Sequence, residues 1–243
     1  LVGGHVAVAA LDGEVVADRA RLRGVDHVAH AVFDLDQRER TRLDGEPRRR
    51  QAHVIVHTPA VQAGDQQRQD ARAAHQRPKL ETYGESIFVV VKTATLINNE
   101  IVFGETHLFA GKNYLITLRH GKSKSYSFVR TNCEKHPHRL ALGTGYALYA
   151  VLDAIVDNYL VVVSELRTQF SKIEADIFDA KISTGKLQRI YSIKRELMLL
   201  RDAAQPLVDI CNELMRFHED VIPKSIRVYL RDVQDHSRRV IES

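Results

Sequence analysis

The sequence predicts an α+β protein in which a mostly antiparallel β-sheet with flanking helices, an αβα sandwich, precedes a long antiparallel helical hairpin and a third helix. Two patterns predict this fold class. Between residues 83 and 119, short segments rich in Val, Ile, Phe and Thr are separated by turn residues, whereas from residue 148 apolar residues recur with a helical period. With 243 residues, 44% of them hydrophobic, the chain is long enough to bury a core.

Four strands are predicted in the region of period-two patterning. They are Ser86–Thr93, Ile97–Phe103, Glu105–Ala110 and Tyr114–Arg119. The turn residues Asn98-Asn99 and Gly111–Asn113 between them favour an antiparallel meander. Upstream, weaker patterns predict short strands at His5–Leu11, Val28–Leu35 and Gln51–Val56, and a helix over Gln62–His75.

Two long helices follow. An apolar stripe from Leu148 to Ile177 predicts one helix of roughly nine or ten turns. The segment Ser183–Gly185 interrupts the pattern, and a second stripe runs from Leu187 to Phe217, kinked or restarted at Pro206. Because the connection is short, we expect the two helices to form an antiparallel hairpin.

A third helical pattern follows Pro223, with apolar residues from Ile226 to Ile241. It has no stop signal before Ser243, so we expect the chain to be a fragment that ends inside this helix. These boundaries divide the chain into an α/β domain over residues 1–137, the hairpin over 138–222 and the third helix over 223–243.

The amino-terminal part has an unusual composition. Residues 1–78 contain twelve Arg but no Lys, Asn, Ser, Tyr, Cys or Met, and most of these residue types appear soon after Pro78. Such a break indicates a boundary. It is typical either of a divergent Arg-, Ala- and Val-rich segment or of a GC-rich coding stretch read out of frame.

Composition and motifs exclude several functional classes. The net charge of +4, on a chain of which 27% is charged, does not require a nucleic-acid partner. Two cysteines favour a reducing compartment, and no uninterrupted apolar run reaches the length of about 20 residues that a membrane span needs. The common phosphate-binding, dinucleotide, hydrolase and zinc-protease motifs are missing, so we do not expect an enzyme.

Carboxylates cluster on the predicted helices. Asp153 and Asp157 are spaced i, i+4, and Asp232 is followed by Asp235 and His236 one turn later. Oxygen-rich clusters suit Mg²⁺ or Ca²⁺. The alternatives are a solvated polar face or pairing with nearby arginines, namely Arg231 and Arg238.

A second group of residues offers side chains that suit a different metal. Cys133, His136 and His138 have side chains that could bind zinc, although a flexible connector also explains this polar stretch.

Three motifs in order resemble the CorA family of divalent-cation (Mg²⁺/Co²⁺) transporters. The first runs from Asp70 through His75-Gln76-Arg77-Pro78-Lys79 to Glu81. The second is Leu152-Asp153-Ala-Ile-Val-Asp157-Asn158-Tyr159, and the third is Tyr229-Leu-Arg-Asp232-Val-Gln-Asp235-His236. Together they cover residues 70–243.

The resemblance implies a funnel-shaped homopentamer on the cytoplasmic side of the inner membrane. Its third helix would be a stalk helix that continues into a membrane part outside this chain, so these residues would sense Mg²⁺ or Co²⁺ as regulatory ions. Asp70 of one subunit would face Asp232 of its neighbour around one ion, and Asp153 would lie near a second ion. Where the family has Glu-Asp, this chain has Gln69-Asp70, which removes one formal charge.

Two other functions remain open from the sequence. The zinc-transporting branch of the same superfamily shares the architecture, and a zinc ion at Cys133, His136 or His138 would favour it. A soluble helical scaffold with no ion role would instead bind a partner through an exposed apolar stripe.

Overall fold

The computed structural model describes residues 7–11, 51–56, 73, 75–98, 100–112, 114–121, 125–178 and 183–243. The strand predicted at Val28–Leu35, most of the helix predicted at Gln62–His75, and Asp70 lie outside these residues.

A six-stranded antiparallel sheet forms the first half of the fold, in the order β1-β2-β6-β5-β4-β3. Its strands are β1 Ala7–Leu11, β2 Gln51–Val56, β3 Lys79–Tyr83, β4 Ser86–Ile97, β5 Glu100–Gly111 and β6 Tyr114–Gly121. The predicted meander is therefore confirmed for β4 to β6, and β3 extends it by a strand that the sequence did not predict.

The second and third predicted strands are one strand in the structure. The predicted bounds left Gly104 between them, but β5 continues through it because Gly104 pairs with Thr93 on one side and with Gly121 on the other. The turn at Asn98, with φ of 52°, then joins β4 and β5 as a hairpin. The result is a hairpin of two long, neighbouring strands of 12 residues each.

The two faces of the sheet bury different sets of residues. Ile87, Val89, Val91 and Leu108 belong to the large core shared with the helices. On the opposite face, Phe88, Val90, Phe109, Ile116 and Leu118 form a second buried cluster, in which the rings of Phe88 and Phe109 stack with centroids 4.4 Å apart. This alternation follows from the period-two geometry of the strands.

Within the described residues, five helices follow the sheet. They are α1 Ser127–Lys135, α2 Pro137–Leu140, α3 Thr144–Phe178, α4 Thr184–Phe217 and α5 Arg227–Ile241. The short helices α1 and α2 occupy the stretch that was predicted as a polar connector. Tyr126, just before α1, is buried, and its hydroxyl is 2.7 Å from that of Thr106 on β5.

Helix α3 is fixed to the sheet along its apolar stripe. Leu148, Leu152 and Tyr159 are fully buried, as the helical period predicted. Polar contacts complete the attachment, since Asn158 and the Tyr159 hydroxyl donate to backbone carbonyl oxygens of β4, those of Ala94 and Lys92 respectively.

The hairpin of α3 and α4 is antiparallel, as predicted. Lys186 near the start of α4 pairs with Asp176 near the end of α3 at 2.7 Å. At the other end, Gly145 lies so close to the Val221 carbonyl, just past α4, that a Cβ atom would collide with it. Pro206 lies inside α4, which continues through it without restarting.

One segment, Thr144–Asp176 of α3, is long and apolar enough, among the described residues, to span a membrane by length and composition alone. Half of its most apolar window is buried inside the protein. Because that face packs on the sheet, we interpret α3 as a core helix.

Candidate metal centre

The carboxylates singled out in the sequence lie where α3 and α5 pack together. Helix α5 buries Leu230, Val233 and Val240, which fixes the rotation of the helix about its axis. That rotation places Asp232 and His236, one turn apart, beside Asp153 of α3. Two helices that are distant in sequence therefore supply one polar cluster.

The ligand atoms of Asp153, Asp232 and His236 all lie within 4.8 Å of one another. The imidazole is held between two carboxylates, with Nε2 3.7 Å from Asp232 Oδ1 and Nδ1 3.4 Å from Asp157 Oδ1. Tyr149 donates its hydroxyl hydrogen to Asp153 Oδ2 at 3.2 Å. We call Asp153, Asp157, Asp232 and His236 the carboxylate cluster.

The cluster carries more negative charge than its own positive groups offset. Burial, and then the charges of Asp157 and Asp232, raise the pKa of Asp153 above its ordinary value. Burial and the neighbouring Asp153 also raise the pKa of Tyr149, so its hydroxyl remains a donor at neutral pH. Among the described residues, His236 is the basic side chain that pairs with these carboxylates.

The expected arginine pairing neutralises a different carboxylate. Arg238 Nη1 lies 2.9 Å from Asp235 Oδ1, so Asp235 is paired outside the cluster. Two carboxylates and an imidazole remain as a mixed oxygen and nitrogen donor set. Mg²⁺ accepts one or two carboxylates together with waters, and Co²⁺ also binds imidazole, so the donor set fits both ions.

The structure groups the predicted site residues differently from the sequence prediction. The resemblance assigned Asp232 and Asp153 to different ions, whereas the fold brings both to one cluster within a single chain. Asp70 lies outside the described residues. His236 was noted near Asp232 but not assigned as a ligand, although its i, i+4 spacing from Asp232 was the signal that could have identified it.

The candidate zinc ligands Cys133, His136 and His138 do not come together. Cys133 is buried in the core, and burial raises the pKa of its thiol to about 11, which disfavours the thiolate that zinc requires. His136 Nδ1 contacts the Asn132 carbonyl oxygen at 2.9 Å, and the rings of His136 and His138 are 6.1 Å apart. Within the described part of the chain, these three residues form no metal-binding group.

A second carboxylate lies away from the carboxylate cluster, on the sheet. Glu105 of β5 is buried, and its Oε2 accepts hydrogen bonds from the backbone N–H groups of His75 at 2.9 Å and Gln76 at 3.3 Å. His107 Nε2 is 3.4 Å from the same oxygen. Burial alone raises the pKa of Glu105, but the contacts with His107 and these two N–H groups outweigh it, so the net shift is downward.

Comparison with known proteins gives these features a context. The family model described as CorA-like Mg²⁺ transporter protein matches residues 46–243, more than half of the chain. The match begins upstream of residue 70, where the resemblance of the sequence motifs starts.

Two curated relatives match a similar stretch. The cobalt/magnesium transport protein CorA of Thermotoga maritima is 26% identical over 178 residues, covering 72% of this chain and 50% of that protein. The putative metal ion transporter YfjQ of Bacillus subtilis is 23% identical over 168 residues, covering 69% of this chain and 51% of that protein. The chain therefore spans about half the length of the curated relatives it matches.

Solved structures share the fold. The soluble domain of CorA from Methanocaldococcus jannaschii aligns with a TM-score of 0.62 at 17% identity, covering 74% of this chain and 72% of that chain. The complete CorA magnesium transporter of the same organism aligns with a TM-score of 0.65 at 16% identity, covering 74% and 56%. These alignments confirm the predicted α+β fold class.

Proposed function

Because the chain belongs to the family of CorA-like Mg²⁺ transporters, we propose that it is the regulatory, cytoplasmic part of a magnesium and cobalt transport protein. In this proposal it senses divalent cations at subunit boundaries of a homopentamer and thereby gates the channel. The family consists of transporters, which confirms the prediction that the protein is not an enzyme. In this proposal α5 is the stalk helix, and the membrane part of a longer protein would follow it.

The carboxylate cluster is the observation that carries this proposal. Asp153, Asp232 and His236 approach within 4.8 Å without a Lys or Arg among their described ion-pair partners. Like charges at that separation repel, and a dication between them reverses the sign of the interaction. The raised pKa of Asp153 supports the same interpretation, because it reflects an unfavourable environment for a second negative charge.

Asp70 is the proposed contribution of a neighbouring subunit. In this proposal it faces Asp232 of the next subunit, as the resemblance of the motifs implies, and Asp232 is largely exposed in the single chain, with 58% of its side chain accessible. An exposed ligand on α5 is available to an ion shared with another subunit. Gln69, where the family has Glu, retains a ligand oxygen without the charge.

The proposed mechanism is a shift in equilibrium between two arrangements of the ring. Bound cations link α3 and α5 of one subunit to its neighbour and favour the closed channel. When cytoplasmic Mg²⁺ falls, the ions leave, repulsion between the carboxylates returns, and the stalk helices are released towards the open state. The size of the shift is limited by the difference in cation affinity between the two arrangements.

Thermal unfolding of the 243-residue chain in MgCl₂, compared with NaCl of equal ionic strength, tests the cation site. A ligand that binds the folded state alone adds about 1.4 kcal/mol of stability at a tenfold excess over Kd, and about 2.7 kcal/mol at a hundredfold excess. We expect stabilisation at millimolar Mg²⁺, and at least as much with Co²⁺.

Two variants assign that effect to the site. Asp232→Ala should remove most of the stabilisation, and Asp70→Ala should do the same if the two residues share an ion. Asp235→Ala is the matched control, because it removes the same charge from the same helix at a residue paired with Arg238. Equal protection of the wild type and all three variants would place the sensing site elsewhere.

A further inference from the structure

Three tyrosine rings pack together directly beside the carboxylate cluster. The ring centroids are 5.6 Å apart for Tyr146 and Tyr149, 5.7 Å for Tyr146 and Tyr229, and 5.0 Å for Tyr149 and Tyr229. Tyr149 precedes Asp153 by one turn of α3, and Tyr229 precedes Asp232 by nearly one turn of α5. The rings therefore join the same two helices that supply the ligands.

The three hydroxyl groups are not equivalent. The hydroxyl of Tyr149 lies 3.2 Å from Asp153 Oδ2 and donates to it. The hydroxyl of Tyr146 instead interacts with Arg139, which lies outside the cluster, and this interaction raises the pKa of the guanidinium. Only a donor aimed at a ligand carboxylate acts on the geometry of the cluster, so Tyr149 differs from its neighbour in chemistry although both rings pack in the same group.

We propose that Tyr149 is a positioning residue of the cation site: its hydroxyl holds the carboxylate of Asp153 in the orientation that lets Asp153 and Asp232 bind one cation. The proposal rests on the function proposed above. A carboxylate offers about four lone-pair positions, so one hydrogen bond to Oδ2 leaves several for a metal ion.

The packing of the rings gives this hydrogen bond a second consequence. Because the ring of Tyr149 lies against that of Tyr229, the hydroxyl position depends on where the first turn of α5 sits. A displacement of α5 therefore moves both Asp232 and the donor that orients Asp153. Cation affinity is in this way sensitive to the position of the stalk helix.

Tyr149→Phe tests the proposal, because it removes the donor and keeps the ring. Partners that hydrogen-bond metal ligands typically change metal affinity by about 10- to 100-fold when they are removed. We expect Tyr149→Phe to need roughly tenfold more Mg²⁺ to reach half of its thermal stabilisation. Tyr146→Phe is the matched control, since it removes a hydroxyl from the same ring group without touching Asp153, and should respond to Mg²⁺ as the wild type does.

A third variant separates positioning from general stability. If Tyr149 acts through Asp153, Tyr149→Phe should cause no further loss of cation response in an Asp153→Asn background, whatever its effect on the starting melting temperature. A wild-type response in Tyr149→Phe would overturn the proposal and leave the cation site intact. Equal losses in Tyr149→Phe and Tyr146→Phe would overturn it in favour of ring packing, and no Mg²⁺ response in the wild type would overturn it together with the proposed function.

Discussion

Two carboxylates in this protein lose contact with water and respond in opposite ways. Glu105 on the sheet is buried, yet its pKa is lowered, because the contacts with His107 and with two backbone N–H groups outweigh the effect of burial. Asp153 on α3 is half-buried, and its pKa is raised, because the charges beside it include Asp157 and Asp232. Burial alone therefore does not decide the charge state of a carboxylate.

The two environments indicate which of these carboxylates would be stabilised by a cation from outside the chain. The environment of Glu105 is complete, since the chain itself supplies donors that replace water. The environment of Asp153 contains one hydroxyl donor, one imidazole and further carboxylates, so positive charge is what it lacks. The sign of the neighbouring charges therefore separates a structural carboxylate, Glu105, from the carboxylate that we propose to bind a cation, Asp153.

Among these variants, we expect the largest change in thermal stability when the Glu105 side chain is removed. Glu105→Ala leaves the buried imidazole of His107 without its acceptor, at a cost of about 1–3 kcal/mol. It also removes the acceptor of the backbone N–H groups of His75 and Gln76, which are less buried. We expect a loss of roughly 3 kcal/mol, or about 6–12 °C in melting temperature for a protein of this size. Glu100→Ala, at the exposed start of the same strand, is the control for thermal unfolding followed by circular dichroism. Equal melting of the two variants would show that Glu105 is not a structural group.

At the carboxylate cluster, we expect a substitution to change the melting temperature by a smaller amount and in the opposite direction. Without divalent cations, Asp153→Asn removes a charge that its neighbours repel and keeps an oxygen that can accept from Tyr149. The chain should melt at a higher temperature than the wild type and respond less strongly to Mg²⁺. If Asp153→Asn melted below the wild type in chelator, the Asp153 carboxylate would stabilise the cation-free fold, and its neighbours could not be repelling its charge as we expect.

The smallest expected effect is a change with pH in how far the melting temperatures of the Asp153 and Glu105 variants differ from that of the wild type. A raised pKa means that the stability from Asp153 is present below its ordinary value of 3.8 and is lost as pH rises through the folded-state pKa. A lowered pKa means that the stability from Glu105 is present above 4.5 and is lost as pH falls through its folded-state pKa.

Melting curves in chelator between about pH 4 and pH 7 measure both trends. The advantage of Asp153→Asn over the wild type should shrink towards the acidic end of this range. The disadvantage of Glu105→Gln should persist down to about pH 4.5 and shrink only below it. Parallel pH profiles for the two variants would contradict the opposite pKa shifts.

The sequence predicted the parts of the fold that depend on local pattern. The meander and the long helices follow from turn residues and apolar periods, and these were found. Gly104 was misjudged because a glycine between strand patterns indicates a break, and its pairing with Thr93 and Gly121 is a property of the assembled sheet. The helix α1 was missed because its sequence is polar and its burial depends on the contact between Tyr126 and Thr106.

The candidate site was predictable by residue but not by arrangement. Spacing on a helix identified Asp153 and Asp232, but their approach depends on how α5 packs against α3. Glu105 gave no signal at all, because a polar residue in a strand is expected to face solvent, and its backbone partners lie about 30 positions earlier in the chain.

Crystals of the chain grown with CoCl₂, with diffraction measured at the cobalt absorption edge, test whether Asp153 and Asp232 bind one cation. We expect an anomalous peak within bonding distance of the carboxylate oxygens of Asp153 and Asp232, and we expect crystals of Asp232→Ala to lack it. A chain that cobalt stabilises in solution, but whose crystals show no peak at this cluster or show one only beside His136 and His138, would contradict it.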